Sequence, residues 1–136
     1  MNTQTGTTPW WYDRLNGLAN SIDLWTGRSG RPLTGPEVAG HLDAARDLLD
    51  SRGWGSTRQA RVYRALTATS TGVHDTDSRS AAAALLDLVQ QARTGAGSPV
   101  DYEAWEARAG RTWREVEELL AEAAQYAREH GPAGGA

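Results

Sequence analysis

The stretch that decides the fold is TGPEVAGHLDAARDLLDSRGW, residues 34–54. Thr34 and Glu37 stand three positions apart, the spacing at which each side chain can satisfy a free backbone N–H at a helix start. Apolar residues then recur every three or four positions, at Val38, Leu42, Ala45, Leu48 and Leu49. Gly53 is a typical helix stop. The stretch therefore predicts one amphipathic helix with a single buried face.

The same spacing of apolar residues continues through the chain and predicts an all-α fold, because no long stretch alternates with period two. Two stretches rich in Gly, Ser and Thr, TATSTGVHDTDSRS (67–80) and GAGSP (95–99), read as loops. We expect a small bundle of five to six helices in a core domain over 34–130, followed by a flexible tail over 131–136. Beyond the first core helix, the expected helices span about 57–68, 79–94, 102–109 and 112–129.

Residues 1–33 read as an N-terminal arm that contains an amphipathic aromatic helix over 9–25, PWWYDRLNGLANSIDLW. Its apolar stripe follows the alternating four- and three-residue spacing of a coiled-coil seam, at Trp11, Leu15, Leu18, Ile22 and Trp25. Such a seam requires a partner surface. The helix holds three of the chain's six tryptophans, and tryptophan is enriched among residues that anchor interfaces.

Composition excludes several classes of protein. The net charge of −3, from 17 acidic and 14 basic residues, argues against coating nucleic acid through overall charge. All basic residues are Arg, which is typical of a GC-rich genome, and the absence of Cys excludes disulfides and Cys-based metal sites. With no apolar run near about 18 residues and no signal-peptide pattern, we expect a cytoplasmic protein without cofactor or membrane contact.

Two segments resemble a known family. The first is HLDAARDLLDSRGW (41–54), and the second is a C-terminal motif made of Trp105, Gly110, Arg111, Thr112, Glu115 and Val116. Together they resemble a family of small actinobacterial and actinophage proteins known only as a domain of unknown function, over about residues 38–124. The chain departs from that pattern at Glu106–Ala107, where Asn-Asp is expected, and at Val62 or Tyr63, where a Cys is expected. The resemblance implies no activity.

Catalytic chemistry has little support in the sequence. His41, the pair His74–Asp75, and Asp77 or Asp101 follow the residue order of helical metal-dependent phosphohydrolases. His74–Asp75, however, lies in a predicted loop, and helix capping fits Asp75 and Asp77 better than metal binding. No His is paired with a Ser in the sequence, and no Gly-x-Ser-x-Gly turn is present. We therefore expect neither an enzyme nor a metal site.

Nucleic-acid binding is the alternative. The stretch 46–64 has a local net charge of +3, and its helix, GWG turn and second helix superficially resemble a helix-turn-helix. On the second helix Arg58, Arg61 and Arg64 are expected to form one exposed ridge, which with Arg52 makes the candidate contact set. A solvated face, or pairing with the acidic last helix, explains the same arginines.

The leading functional hypothesis is a non-catalytic protein–protein interaction or assembly role, with a homodimer or another protein as partner. Its candidate contact residues lie on the aromatic helix: Trp10, Trp11, Leu15, Leu18, Ile22 and Trp25. The sequence leaves open whether this helix folds back on the core or engages another chain, since either event buries its apolar stripe. DNA binding ranks second, and metal-dependent phosphohydrolysis ranks last.

Overall fold

The computed structural model describes residues 9–55, 57–70 and 73–133, apart from the side chains of Arg58 and residues 73–75. Within these ranges it is all-α, as the spacing of apolar residues predicts, and holds no β-strand. A 3-10 turn at Arg58–Ala60 precedes the third helix. The α-helices are α1 (Tyr12–Ser21), α2 (Gly35–Arg52), α3 (Val62–Ala68), α4 (Val73–Thr94), α5 (Tyr102–Glu106) and α6 (Trp113–His130).

The helices α2 and α6 form the central pair, and both begin with the predicted reciprocal cap. In α2 the Thr34 hydroxyl accepts from Glu37 N while the Glu37 carboxylate accepts from Thr34 N at 2.8 Å. Thr112 and Glu115 repeat this arrangement in α6. Because four N–H groups at each helix start have no partner within the helix, these caps fix where both helices begin.

The start of α2 touches the end of α6 through backbone alone. A Cβ atom on Gly35 would overlap the carbonyl oxygen of Ala127, so only glycine permits this approach. Gly35 N also donates to the carbonyl oxygen of Pro132 at 2.8 Å. The first residues of the segment expected to be a flexible tail are therefore held against α2.

The prediction for the start of α4 is wrong. We expected a loop over 67–80, but the helix begins at Val73 rather than near Arg79. Two polar residues of the expected loop, Asp77 and Ser78, are buried in the helix and bond to distant side chains. Their partners lie 48 and 37 positions away, so composition alone could not reveal them.

The N-terminal helix folds back on the bundle and shares its core. It is shorter than expected and ends at Ser21, after which Asp23 adopts a positive φ of 54°. This turn changes the inward register, so that Ile22 faces out and Leu24 faces in. The apolar residues of 9–33 that are buried with the bundle core are Trp11, Tyr12, Leu15, Ala19, Leu24 and Leu33.

Among the described residues, no helix combines the length and the apolar character required to cross a bilayer.

Candidate functional site

The apolar stripe predicted as a contact surface is largely covered by the chain itself. Trp11 is 5% exposed and Leu15 is fully buried. Leu18 and Trp25 are half-buried and pack against the same core. The partner surface that the seam requires is therefore supplied within the chain, mainly by α4.

An aromatic cluster attaches α1 to the end of α6. Tyr12 meets Trp11, Tyr126 and His130 edge to face, with ring centroids 4.7, 5.3 and 5.2 Å apart. The Tyr126 hydroxyl donates to Asn16 Oδ1 at 2.5 Å. Burial raises the pKa of Tyr12 and of Tyr126 to about 12, so both hydroxyls stay protonated at neutral pH. The ring contacts and this hydrogen bond join α1 to α6.

Two of the predicted contact residues remain in solvent. Trp10 is 74% exposed and Ile22 is 49% exposed. Asp13, one turn beyond Trp10, is also exposed, and a Cβ atom on Gly17 would meet nothing within 4 Å. We call Trp10, Asp13, Gly17 and Ile22 the outer face of the N-terminal helix. It presents an aromatic ring, an aliphatic side chain and a carboxylate.

A second surface feature lies at the corner between α2 and α3. There the chain encloses an open cleft of about 340 Å³. Arg52 at the end of α2 and Arg64 on α3 are exposed at its edge. Its apolar lining consists of Leu48, Leu49, Ala60, Ala65 and Ala68. We call this the corner cleft, and no feature of the sequence indicated it.

One buried carboxylate holds the corner together. Glu106, 2% exposed, accepts hydrogen bonds on Oε2 from the indole N–H of Trp54 at 2.7 Å and from Val62 N at 2.9 Å. Burial raises the pKa of Glu106, while these two hydrogen bonds and the nearby Arg61 oppose that rise. Its partners are 52 and 44 positions away. Glu106 is one of the two residues at which the chain departs from the expected Asn-Asp.

The three arginines expected to form one ridge on the second helix do not all lie on that helix. Arg58 lies in the 3-10 turn, and its side chain is outside the described part of the chain. Arg61 is the N-cap of α3, half-buried beside Glu106, which leaves Arg64 alone on the helix. The helix α3 spans seven residues and begins after Arg61, whose backbone is extended.

The structure creates a His–Ser contact that the sequence did not reveal. His41 Nδ1 lies 3.0 Å from Ser78 Oγ, and its Nε2 lies 3.0 Å from the carbonyl oxygen of Leu66. A carbonyl only accepts, so Nε2 is assigned a proton that it donates to Leu66. Both ring nitrogens are thus used in joining α2, α3 and α4. The His–Ser contact therefore joins helices of the bundle, which is a structural role.

The candidate metal ligands predicted from the sequence either make other contacts or have side chains outside the described part of the chain. The side chains of His74 and Asp75 are not described. Asp77 accepts from the hydroxyl of Ser29 at 2.5 Å and from Ser29 N, which together with Arg31 lowers the pKa of this carboxyl. Asp101 caps α5 through Glu103 N at 2.9 Å. Among the described residues, no three His, Asp or Glu side chains are grouped to hold a metal ion.

Comparison with known proteins gives a family but no activity. The sequence profile of a family of unknown function (DUF6197) matches residues 33–126. No curated protein and no solved structure matches the chain. The matched region contains α2 to α5, most of α6 and the corner cleft, whereas α1 and its outer face precede it.

Proposed function

The chain belongs to this DUF6197 family, and we propose that it is a non-catalytic assembly protein that self-associates through the outer face of its N-terminal helix. The observation that supports this best is the position of Trp10, which is 74% exposed beside a tryptophan that is almost fully buried. Trp11 is buried in the core, whereas the described part of the chain leaves most of Trp10 uncovered. An exposed tryptophan in the turn just before α1 suits the role of an interface anchor.

The buried polar groups favour a binding protein over an enzyme. His41, Glu106 and Asp77 each make hydrogen bonds that join separate segments of the chain. Side chains used in this way point toward hydrogen-bonding groups of the same chain, whereas a catalytic acid or base must face the reacting molecule.

The stripe residues have a different role from Trp10 in this proposal. Trp11 and Leu15 contribute to folding stability, so their substitution is expected to unfold the arm rather than remove a contact. Of the six residues that the sequence indicates for contact, Trp10 and Ile22 are the two with large exposed fractions.

The test compares two neighbouring tryptophans by analytical ultracentrifugation over a wide concentration range. Trp10→Ala is expected to weaken self-association while changing the free energy of unfolding by no more than about 0.5 kcal/mol. Trp11→Ala is the matched control and is expected to lower the free energy of unfolding by about 3–5 kcal/mol. A wild-type chain that remains monomeric throughout, or a Trp10→Ala chain that associates like wild type, would contradict the proposal.

DNA binding is the second candidate, supported by the exposed guanidinium groups of Arg52 and Arg64. Its test is a titration of labelled duplex DNA at rising salt, since phosphate contacts weaken steeply with salt concentration. Binding that disappears both at high salt and in the Arg52→Ala/Arg64→Ala variant would favour this candidate over assembly.

A further inference from the structure

The corner cleft has an apolar base and a positively charged edge. Five apolar side chains line a space of about 340 Å³ between α2 and α3. This volume lies at the lower end of the range for ligand pockets, roughly 300–1,000 Å³. The cleft is therefore large enough for a single bulky side chain with its adjoining backbone.

The two arginines at the edge of the cleft have no acidic partner within the described part of the chain. The ion pairs found there involve Arg31, Arg93, Arg111 and Arg128. Arg52 and Arg64 are in none of them, and both are exposed. An occupant that places a carboxylate beside its apolar group would complement the cleft, because guanidinium groups bind carboxylates with matched geometry.

The outer face of the N-terminal helix has this combination of groups. Trp10 supplies an uncovered aromatic ring, and the exposed carboxylate of Asp13 follows one helical turn later. Asp13 also has no ion-pair partner among the described residues. The lack of a side chain on Gly17 permits another backbone to approach the next turn.

The cleft is already formed in the single chain. The hydrogen bonds of Glu106 fix Trp54 and the start of α3 on one side. On the other side α2 ends at Gly53, whose positive φ of 92° sets the direction of the turn. A preformed cleft avoids the ordering cost that weakens binding to flexible surfaces.

We propose that the corner cleft of one copy binds the N-terminal helix of a second copy, with Trp10 inserted between α2 and α3 and Asp13 paired with Arg52 and Arg64. This inference rests on the proposed function and adds the receiving site and its chemistry. It also explains why the sequence holds a tryptophan that its own core does not cover.

The proposed contact is small and depends on one aromatic anchor, which favours weak and reversible association. A buried aromatic side chain contributes roughly 150–250 Å², so one or two docked helices bury less than the ~1,200–2,000 Å² of a standard stable interface. We expect reversible association with a dissociation constant on the order of 1–100 µM. Trp10→Ala is expected to raise that constant about 30-fold, as for a residue at the centre of an interface.

Charge reversal with rescue tests the pairing, again by sedimentation of the full chain. Asp13→Arg, and separately Arg52→Asp/Arg64→Asp, are each expected to raise the dissociation constant about tenfold. The triple variant Asp13→Arg/Arg52→Asp/Arg64→Asp has complementary charges once more and is expected to return within about threefold of wild type. Arg108→Asp, at an exposed arginine outside the cleft, is the matched control and is expected to leave association unchanged.

A second variant tests the cleft without changing charge. Ala68→Gln places a bulky polar side chain at an exposed position of the cleft lining and is expected to weaken association about tenfold. Ala104→Gln, at an exposed alanine of α5 outside the lining, is its control. Circular dichroism and the unfolding midpoint establish that each variant is folded.

The outcomes separate the two proposals. If Trp10→Ala weakens association but the cleft variants do not, Trp10 docks elsewhere, so the cleft assignment is wrong and the assembly role stands. If Trp10→Ala has no effect, both are wrong. Duplex DNA that binds through Arg52 and Arg64 while self-association is unchanged by their reversal would also overturn the cleft assignment. Loss in both cleft variants together with rescue in the triple variant supports it.

Discussion

The N-terminal helix and the corner between α2 and α3 are stabilised by different kinds of interaction. The helix is attached through an apolar stripe and an aromatic cluster, with Leu15 fully buried. The corner depends on one buried carboxylate, that of Glu106, which accepts two hydrogen bonds. The stripe is visible in the sequence as a repeat, whereas the carboxylate is one acidic residue among 17.

The three tryptophans at these sites show how context assigns a role to one residue type. Trp11 fills the core, Trp54 donates its indole N–H to Glu106, and Trp10 remains in solvent. The residues next to each tryptophan in the sequence do not indicate which of these roles it has. The following predictions test whether the two regions depend on the interactions assigned to them.

The largest effect is expected from Leu15→Ala in the N-terminal helix. Removing this fully buried side chain is expected to lower the free energy of unfolding by about 2–5 kcal/mol, through lost apolar burial and the cavity left behind. Urea denaturation followed by circular dichroism measures it. Ile22→Ala, at an exposed position of the same segment, is expected to change stability by no more than about 0.5 kcal/mol. Equal losses in the two variants would show that the helix is not docked as described.

At the corner, Glu106→Ala is expected to cost about 2–3 kcal/mol of unfolding free energy. The substitution leaves the Trp54 indole N–H and the Val62 N–H without their acceptor, and unpaired buried donors are destabilising. Tryptophan fluorescence during urea denaturation reports the loss.

Glu106→Gln is the control for the corner, because its amide oxygen can still accept both bonds while the buried charge is removed. It is expected to lose much less stability than the alanine variant. If the two substitutions destabilise equally, the hydrogen bonds are not what holds the corner.

The smallest effect is a pH dependence at Asp87, which supports the start of α5 by accepting from Tyr102 N at 2.8 Å. Burial raises the pKa of Asp87 from 3.8 to about 6, partly opposed by this hydrogen bond. The folded state therefore binds the proton of Asp87 more tightly than the unfolded state does. As pH rises from about 4 to 6 this proton is lost, and the contribution of Asp87 to the free energy of unfolding falls.

Asp87→Asn removes this titration and keeps an acceptor for Tyr102 N. Over that pH interval the variant is expected to become more stable than wild type. The difference in unfolding free energy is expected to reach about 1 kcal/mol, after allowance for the partial solvent exposure of Asp87. Paired urea titrations at pH 4, 5, 6 and 7 measure the difference. A difference that stays constant across this interval would contradict the assignment.

The sequence predicted elements that depend on neighbouring residues. Both reciprocal caps, at Thr34 and Thr112, are present as expected, because a cap requires only residues three positions apart. The sequence did not predict where α4 starts, because Asp77 and Ser78 are polar residues inside the helix that bond to distant partners. It also assigned Ile22 to the stripe, although the helix ends one residue earlier and Leu24 becomes buried instead.

The candidate site was predicted less well than the fold. The sequence indicated the N-terminal helix and placed Trp11, but not Trp10, on its apolar stripe, while listing both as contact residues. Their difference depends on which side of the helix meets the bundle. The corner cleft could not be predicted, because its lining comes from α2, the 3-10 turn and α3 at an angle that Glu106 fixes from α5.

The sequence by itself determined the helical class, the caps of the central pair and the amphipathic character of the N-terminal helix, since these depend on periodicity and short-range hydrogen bonds. Only the tertiary structure decided which surface covers the apolar stripe, which tryptophan stays exposed and where a cleft opens. Those outcomes depend on packing between segments far apart in the chain, and a single sequence contains no local signal for such contacts.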